Sequence, residues 1–160
     1  MSSDKSDKSD KSDKSDTSDT SDEAALASRG QERVVAEFRA RGGKVGGYHA
    51  SMQLLLLTTT GARTGQRRAV PLTYLPDGDR YVVTAGNGGS DRHPAWYYNL
   101  VANPDVTVEA GTDAFKAAAV IADEAERAAL YVRFAAAYPV LADFQDQTTR
   151  PIPIIVLTRR

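Results

Sequence analysis

Apolar residues are almost absent from the start of the chain and frequent after it. Residues 2–22 are nearly all Ser, Asp, Lys and Thr, and residues 3–14 repeat the triplet Ser-Asp-Lys. A segment without apolar side chains gains nothing from burial that would offset the entropy lost on folding. The pattern therefore predicts a disordered tail over residues 1–23 and a folded domain over residues 24–160.

After the tail, the spacing of apolar positions predicts an ordered series of helices and strands. Val34, Val35 and Phe38 share one side of a helix that Gly42 and Gly43 end. Short apolar or β-branched runs bounded by turn residues predict strands. We predict helices over residues 23–41, 94–101 and 123–138, and strands over residues 53–60, 68–75, 80–85, 106–110, 115–121 and 152–157.

The order of these strands favours antiparallel pairing. Residues 76–79 and residues 111–113 are turn signals between consecutive strands, and Pro71 favours an edge or bulge position for its strand. Hairpin-connected strands favour an antiparallel sheet over alternating βαβ units. We predict a mainly β (α+β) fold, a split or closed antiparallel β-barrel of about six strands with flanking helices, because closure removes exposed edges.

Composition narrows the functional classes. The chain has no cysteine and two histidines, His49 and His93, so we expect no thiolate chemistry and no metal site. The tail holds four of the 20 basic and eight of the 21 acidic residues, which leaves a domain with a net charge of about +3. Such a domain suits a small anionic ligand better than a nucleic acid. Without a long apolar run or a secretory signal, we expect a cytoplasmic protein.

The first candidate site is a glycine- and arginine-rich turn between two predicted strands. Gly61 and Gly65 let the backbone turn tightly, and Arg63, Arg67 and Arg68 can bind phosphate or carboxylate oxygens. Neither a Walker loop nor a dinucleotide fingerprint fits, because no Gly-Lys-Ser/Thr and no helix follow the turn. An ordinary hairpin turn with solvated arginines explains the same pattern, so the residues alone leave anion binding open.

The second candidate site is the entrance to the helix predicted at Pro94. Residues 86–89 are Gly-Asn-Gly-Gly, and small residues before a helix let a flat ring or an anion approach its free N–H groups. Trp96 and Asn99 are three residues apart, so they share a helical face and place an aromatic wall beside an amide. A plain loop and a tryptophan that only packs in the core are the alternatives.

Tyr138, with Phe144 nearby in the sequence, is the third candidate. Its phenol can donate a hydrogen bond or a proton to a substrate, although most tyrosines at helix ends only pack. The two histidines have no partner pattern for a Ser-His-acid triad, so we do not expect a hydrolase.

Three segments, in the same order, resemble the deazaflavin-dependent nitroreductase family of actinobacteria. They read LLLLTTTGARTGQRRAVPLTYL, AGNGGSDRHPAWYYNLVANPDVTVE and AAYPVLADFQDQTTRPIPIIVL, and the resemblance spans roughly residues 33–158. Members of that family are split β-barrel oxidoreductases that use reduced coenzyme F(420), an 8-hydroxy-5-deazaflavin. The resemblance implies the same fold and cofactor for this chain.

The resemblance also implies which residues bind the cofactor. In the family, the Gly-Arg turn and the strand after it contact the phosphate and the oligoglutamate tail, while the glycine loop and the helix wrap the deazaflavin and its ribityl chain. The implied cofactor-binding residues are Arg63, Thr64, Gly65, Arg68, Val70, Pro71, Ala85, Gly86, Asn87, Gly88, Ala95, Trp96, Tyr97, Tyr98 and Asn99. Tyr138, Leu141 and Phe144 are the implied substrate pocket. As a hypothesis on the mechanism, Tyr138, or water, supplies the proton that accompanies the hydride, with Tyr138 as the candidate catalytic residue.

Two departures from the family pattern bear on the substrate. Family members that reduce bicyclic nitro-drugs carry tyrosines where this chain has Leu141 and Phe144, and the cofactor loop often carries Ser-Lys where this chain has Gly86 and Asn87. These departures favour hydride transfer to a quinone, an enone or a related conjugated acceptor over the activation of nitro-drugs.

Three other functions remain as alternatives. The same barrel could use FMN, it could bind a cofactor, tetrapyrrole or lipid without catalysis, or its Gly-Arg turn could serve only as a protein contact. We expect a small-molecule substrate, no nucleic acid and no integral membrane segment, and we leave open a peripheral contact at the inner membrane face. Both a monomer and a homodimer are compatible with the sequence.

Overall fold

The computed structural model describes residues 30–160, and the predicted disordered tail lies outside this range. Residues 30–40 form helix α1, as the apolar spacing predicts. The apolar side of α1 packs on the sheet through Phe38, which is buried in a cluster with Leu54 and Leu56. The helix ends in a turn in which the backbone N–H of Gly43 donates to the carbonyl of Phe38 at 2.8 Å.

Seven antiparallel strands form one sheet in the order β2-β1-β5-β6-β7-β4-β3 within residues 30–160. The strands are β1 (Leu54–Thr60), β2 (Arg67–Thr73), β3 (Leu75–Asp77), β4 (Arg80–Thr84), β5 (Asp105–Ala110), β6 (Asp113–Ile121) and β7 (Ile154–Arg159). The sheet curls into a split barrel whose two edge strands, β2 and β3, follow one another in the chain. The predicted fold class is confirmed, with seven strands in place of about six.

Three further helices flank the sheet: α2 (Ala95–Ala102), α3 (Glu124–Ala137) and α4 (Val140–Asp146). Asp123 caps α3, because its Oδ1 accepts a hydrogen bond from the backbone N–H of Glu126 at 2.9 Å. Pro139 ends α3 as the sequence predicts, and it also precedes α4, where a proline is compatible with a helix start. None of the helices in the described range is long and apolar enough to cross a membrane.

The continuous leucine run of β1 is explained by burial on both faces of the strand. Leu55 and Leu57 point into the barrel interior, whereas Leu54 and Leu56 lie under α1. Successive side chains of a strand alternate between its faces, so a strand covered on both sides reads as an unbroken apolar run. A third apolar cluster fills the space between the sheet and helices α3 and α4.

The strand predicted over residues 68–75 is two strands in the structure. The backbone leaves the first ladder after Thr73, and β3 then pairs with β4 at the opposite end of the sheet. The predicted hairpin is present between β3 and β4, with Asp77 opposite Arg80, and the split of the barrel lies between β2 and β3. Pro71 lies in the edge strand β2, which agrees with its missing N–H, and the last strand begins two residues later than predicted, at Ile154.

Candidate functional site

A cleft of about 1110 Å³ runs along the edge strand β2 and past Thr59 of β1. Helix α1 lines it on one side, and the start of α2 lines it on the other. It is slightly larger than the range of roughly 300–1,000 Å³ that is typical of small-molecule sites. Both segments that the sequence singled out contribute to it. The predicted site residues that line the cleft are Arg68, Val70, Asn87, Gly88, Ala95, Trp96 and Asn99.

Asn99 joins the Gly-Arg turn to helix α2. Its Oδ1 accepts a hydrogen bond from the backbone N–H of Ala62 at 3.0 Å, and its Nδ2 donates to Oγ1 of Thr59 at 3.2 Å. Thr59 is only 1% exposed, so this contact lies at the edge of the core. One amide side chain thus holds together the two segments that sequence analysis assigned to one ligand.

Replacing Asn99 by alanine is expected to weaken ligand binding in the cleft by about 1–2 kcal/mol, because two hydrogen bonds that fix the turn are lost. Asn99→Asp keeps the acceptor for Ala62 but adds a negative charge to the cleft wall, so it should weaken binding of an anionic ligand at least as much as alanine does. Titration of the ligand measures the effect. Equal affinities for all three proteins would mean that the turn is held by other contacts.

The Gly-Arg turn closes on itself and leaves its arginine side chain exposed. The backbone N–H of Gly65 donates to the carbonyl of Gly61 at 2.9 Å, and Oγ1 of Thr64 accepts from the backbone N–H of Gln66 at 3.2 Å. Gly65 has a φ of +71°, which favours glycine at this position. Arg63, Thr64 and Gly65 stand beside the cleft, next to the contact that Asn99 makes, and are not part of its wall.

The strand that follows the turn sends its two arginines to opposite sides. Arg67 donates to Oγ1 of Thr60 at 3.3 Å and to Oγ1 of Thr107 at 2.6 Å, across the sheet surface. Arg68, the next residue, lines the cleft. Within residues 30–160, Arg68 forms no ion pair, so its guanidinium is available to an anion. Pro71, further along the strand, does not line the cleft.

The glycine loop before α2 is held from behind by Arg150, which comes from the segment between α4 and β7. Its guanidinium donates to the carbonyls of Ala85 at 3.2 Å, Gly86 at 2.9 Å and Ser90 at 2.9 Å. Ala85 and Gly86 are buried behind the cleft, whereas Gly88 faces open space, because a β-carbon added there would meet no atom within 4 Å. Sequence reasoning missed Arg150, which lies 64 residues after Gly86 in the chain.

Helix α2 presents one aromatic side chain to the cleft and turns the other two away. Trp96 is 9% exposed and packs in the barrel core while it also lines the cleft. Tyr97 stacks on the ring of His93, with 4.3 Å between the ring centroids, and Tyr98 is exposed. Neither tyrosine lines the cleft, although the resemblance implied that both bind the cofactor.

The predicted substrate-pocket residues lie outside the cleft wall, and only Phe144 contacts the glycine loop. The Tyr138 hydroxyl donates to the carbonyl of Tyr74 at 3.1 Å, and burial raises the pKa of Tyr138 above its usual value. Leu141 is buried in the cluster between the sheet and α3, and Phe144 packs against Gly86. The structure shows no contact between Tyr138 and the cleft, so its catalytic role stays a prediction.

Helix α1 supplies a wall of the cleft that sequence reasoning did not assign. A two-point ion pair fixes this helix to β5, with Arg39 Nε and Nη2 donating to the two carboxylate oxygens of Glu109 at 3.0 and 2.9 Å. The amphipathic pattern predicted the helix but contained no signal for its place. Further cleft residues that were missed are Gln31, Glu32, Val35, Ala36, Thr59, Ala69, Leu72, Thr84, Ser90, Arg92 and Pro94. His93, for which the sequence leaves a helix cap, a ligand contact and a solvated loop residue open, also lines the cleft.

Comparison with known proteins shows which family the chain belongs to. The sequence model of the F(420)H(2)-dependent quinone reductase family matches residues 31–159. The chain belongs to this family. A curated F(420)H(2)-dependent quinone reductase of Mycobacterium tuberculosis is 45% identical to it over 112 residues, which cover 66% of this chain and 73% of the relative.

Solved structures agree with this family assignment. An F(420)-H(2) dependent reductase superposes with a TM-score of 0.62 and 36% sequence identity, covering 66% of this chain and 93% of its own. A structure described as a domain-swapped dimer gives a TM-score of 0.63 and 34% identity, covering 78% of this chain and 95% of its own. The deazaflavin cofactor class implied by the resemblance is confirmed.

The residues of the cleft fit an anionic, flat cofactor of this class. Arg68 and Arg92 line it, and neither forms an ion pair within the described part of the chain. Trp96 offers an aromatic surface, and Gly88 leaves space that a side chain would fill. Arginines together with an aromatic and apolar surface in one cleft match a ligand that carries an anionic tail and a planar ring.

Proposed function

We propose that this protein transfers a hydride from reduced coenzyme F(420) to a quinone or a similar conjugated acceptor bound in the cleft. Its family membership makes it an F(420)H(2)-dependent oxidoreductase with coenzyme F(420) as cofactor. The observation that carries the proposal is the shared cleft, in which Arg68 of the Gly-Arg segment and Trp96 of the helix entrance line one cavity. We assign the arginines to the anionic tail and the tryptophan to the ring.

The side chains of the cleft bind and orient, and the cofactor carries the redox chemistry. When bound, the reduced deazaflavin supplies the hydride. Arg68, with Arg63 beside the cleft, binds the phosphate and carboxylate groups of the tail by charge-assisted hydrogen bonds. Gly88 lets the ring approach the backbone, and Val70 and Trp96 provide apolar surface beside it. Such an arrangement needs no side-chain nucleophile, which agrees with the absence of cysteine from the sequence.

Helix α1 limits the access of water to the bound ring. Val35 and Ala36 line the cleft from this helix, opposite the strand residues. Exclusion of water strengthens the interactions of the arginines with anionic groups and protects a hydride donor from side reactions. We assign the proton that accompanies the hydride to water at the cleft mouth, because the Tyr138 hydroxyl already donates to a backbone carbonyl.

The proposal also covers the electron acceptor, the oligomeric state and the location of the protein. A quinone is supported by the family name. A homodimer is supported by the relative described as a domain-swapped dimer. We propose a cytoplasmic protein that meets a membrane quinone by peripheral contact, as no helix in residues 30–160 could span the bilayer.

Fluorescence of Trp96 tests the proposal directly, because the chain contains a single tryptophan and this residue lines the cleft. Oxidised F(420) should quench the emission to saturation, and FMN should bind about tenfold or more weakly because it lacks the carboxylates of the tail. Turnover with F(420)H(2) and a soluble quinone should follow. Tighter binding of FMN, or binding of haem or a fatty acid in preference to F(420), would replace the proposal by one of the alternative functions.

Arg68→Ala is expected to weaken binding of F(420) by about 1–3 kcal/mol, the range for a hydrogen bond to a charged group. Arg67→Ala is the matched control, because Arg67 is the preceding residue and points to Thr60 and Thr107 on the other side of the strand. Arg63→Ala should weaken binding by a similar amount, more strongly for coenzyme with a longer oligoglutamate tail. The same titration measures all three. An Arg67→Ala effect as large as that of Arg68→Ala would point to general charge loss and not to a site.

A further inference from the structure

Arg150 makes one contact that its role as a support for the glycine loop does not explain. Besides the three loop carbonyls, its Nη1 lies 3.2 Å from Nδ1 of His93. His93 precedes α2 and lines the cleft, and its ring stacks on Tyr97. The imidazole is thus held between a cation at its Nδ1 edge and an aromatic face.

This contact selects one of the two neutral forms of the imidazole. A guanidinium has only donors and stays charged at any physiological pH, so Nδ1 of His93 must be the unprotonated acceptor. The ring proton then resides on Nε2. The pKa of His93 lies below its usual value, first because of burial and second because of the charge of Arg150, which also favours the neutral ring.

The Nε2–H group has no partner within residues 30–160. Nε2 lies on the side of the ring away from Nδ1, and the other neighbours of the ring are Tyr97, at its face, and Tyr98, whose ring centroid is 5.6 Å away in an edge arrangement. A fixed, uncharged donor therefore stands at the wall of a cleft whose other polar side chains include the cations Arg68 and Arg92.

We propose that His93 is a ligand-binding residue whose Nε2–H, set by Arg150, donates a hydrogen bond to a neutral carbonyl or hydroxyl oxygen of the bound coenzyme. Arg150 is the positioning residue in this pair. The inference rests on the proposed function and adds a recognition element for the uncharged part of the ligand, where an arginine would bring an unneeded charge. It also explains why one guanidinium binds both the glycine loop and the imidazole: loop and donor are placed together.

Two variants of His93 separate this role from a packing role. His93→Gln can place an amide N–H near the position of Nε2, whereas His93→Phe keeps an aromatic ring for stacking on Tyr97 and has no donor. If His93 donates to the ligand, His93→Phe should weaken F(420) binding about threefold to tenfold and His93→Gln should restore it to within about twofold. If His93 only packs, the order is reversed, and that result overturns the proposal.

A measurement on the ligand-free protein tests the tautomer without any activity assay. Nitrogen-15 NMR of the His93 ring should give an unprotonated Nδ1 and a protonated Nε2 at neutral pH, and the Nε2–H resonance should shift when F(420) is added. A protonated Nδ1 overturns the proposal. If the tautomer is as expected but the natural protein does not bind F(420), the proposed function fails and the proposed ligand fails with it. Binding with an unmoved Nε2–H resonance rejects the hydrogen bond alone.

Discussion

Replacing Trp96 by alanine is expected to lower the free energy of unfolding by about 3–5 kcal/mol, the range for a large aromatic side chain removed from a core. Trp96 is nearly buried, and it packs in the barrel cluster with Leu55, Leu57 and Val83 while one part of it lines the cleft. The truncation leaves a cavity that opens into the ligand site. Urea denaturation followed by circular dichroism measures the change, because the variant lacks the only tryptophan of the chain.

Trp96→Phe is the matched control for this prediction. It keeps an aromatic ring in the core and should lose less than half as much stability as the alanine variant. Both variants should bind F(420) more weakly, as judged by absorbance of the coenzyme or by calorimetry, since both lack the full indole surface. A loss below about 1 kcal/mol for Trp96→Ala would contradict the packing described for this residue.

Gly43→Ala is expected to lower the free energy of unfolding by about 2–4 kcal/mol and to loosen α1 over the cleft. A β-carbon at position 43 would lie 2.6 Å from the Cα of Gly111, in the turn between β5 and β6, and the φ of Gly43 is +93°. The atoms nearest to this β-carbon are all backbone atoms of Gly111, so no flexible side chain can move away to make room. Because the Gly43 N–H also closes the end of α1 on Phe38, the helix must shift, and F(420) binding should weaken with it.

The neighbouring glycine provides the control for backbone strain. Gly42 has a similar left-handed φ of +63°, but a β-carbon there would meet only the Cγ2 methyl of Thr112, at 3.1 Å. Gly42→Ala should therefore destabilise by about 1–2 kcal/mol, the strain of the backbone conformation alone. Thermal or urea unfolding compares the two variants. Equal losses would show that α1 and the hairpin turn can separate without penalty.

Much of the fold could be predicted because its signals are local. The capping of α3 by Asp123 depends on a residue three positions away, and the turns between strands depend on short runs of turn residues. The split of the strand predicted over residues 68–75 could not be predicted, because it depends on which partner each half finds in the sheet. Helix α4 was missed for a related reason: it is short, and it is stabilised by packing under the glycine loop.

The candidate site likewise combines residues that local sequence patterns indicate with residues that only the tertiary structure brings in. The Gly-Arg turn and the Trp-bearing helix carry residue types that suit an anionic planar ligand, and Asn99 brings them together. Nothing local connects Arg150 with a loop that precedes it by some 60 residues, and nothing in the pattern of α1 places it on the cleft. The sequence singles out Tyr138 for its phenol alone, and burial with a backbone partner occupies that phenol.

A crystal structure of the protein with oxidised F(420) tests the central claim most directly, namely that one anionic, planar redox ligand bridges the two segments. We predict the phosphate and carboxylates beside Arg63 and Arg68, the ring between Val70, Gly88 and Trp96, and α1 still forming one wall of the cleft. Coenzyme bound elsewhere, for example in the shallow depression between Arg127 and Tyr131, or a tail that leaves both arginines in solvent, would contradict it.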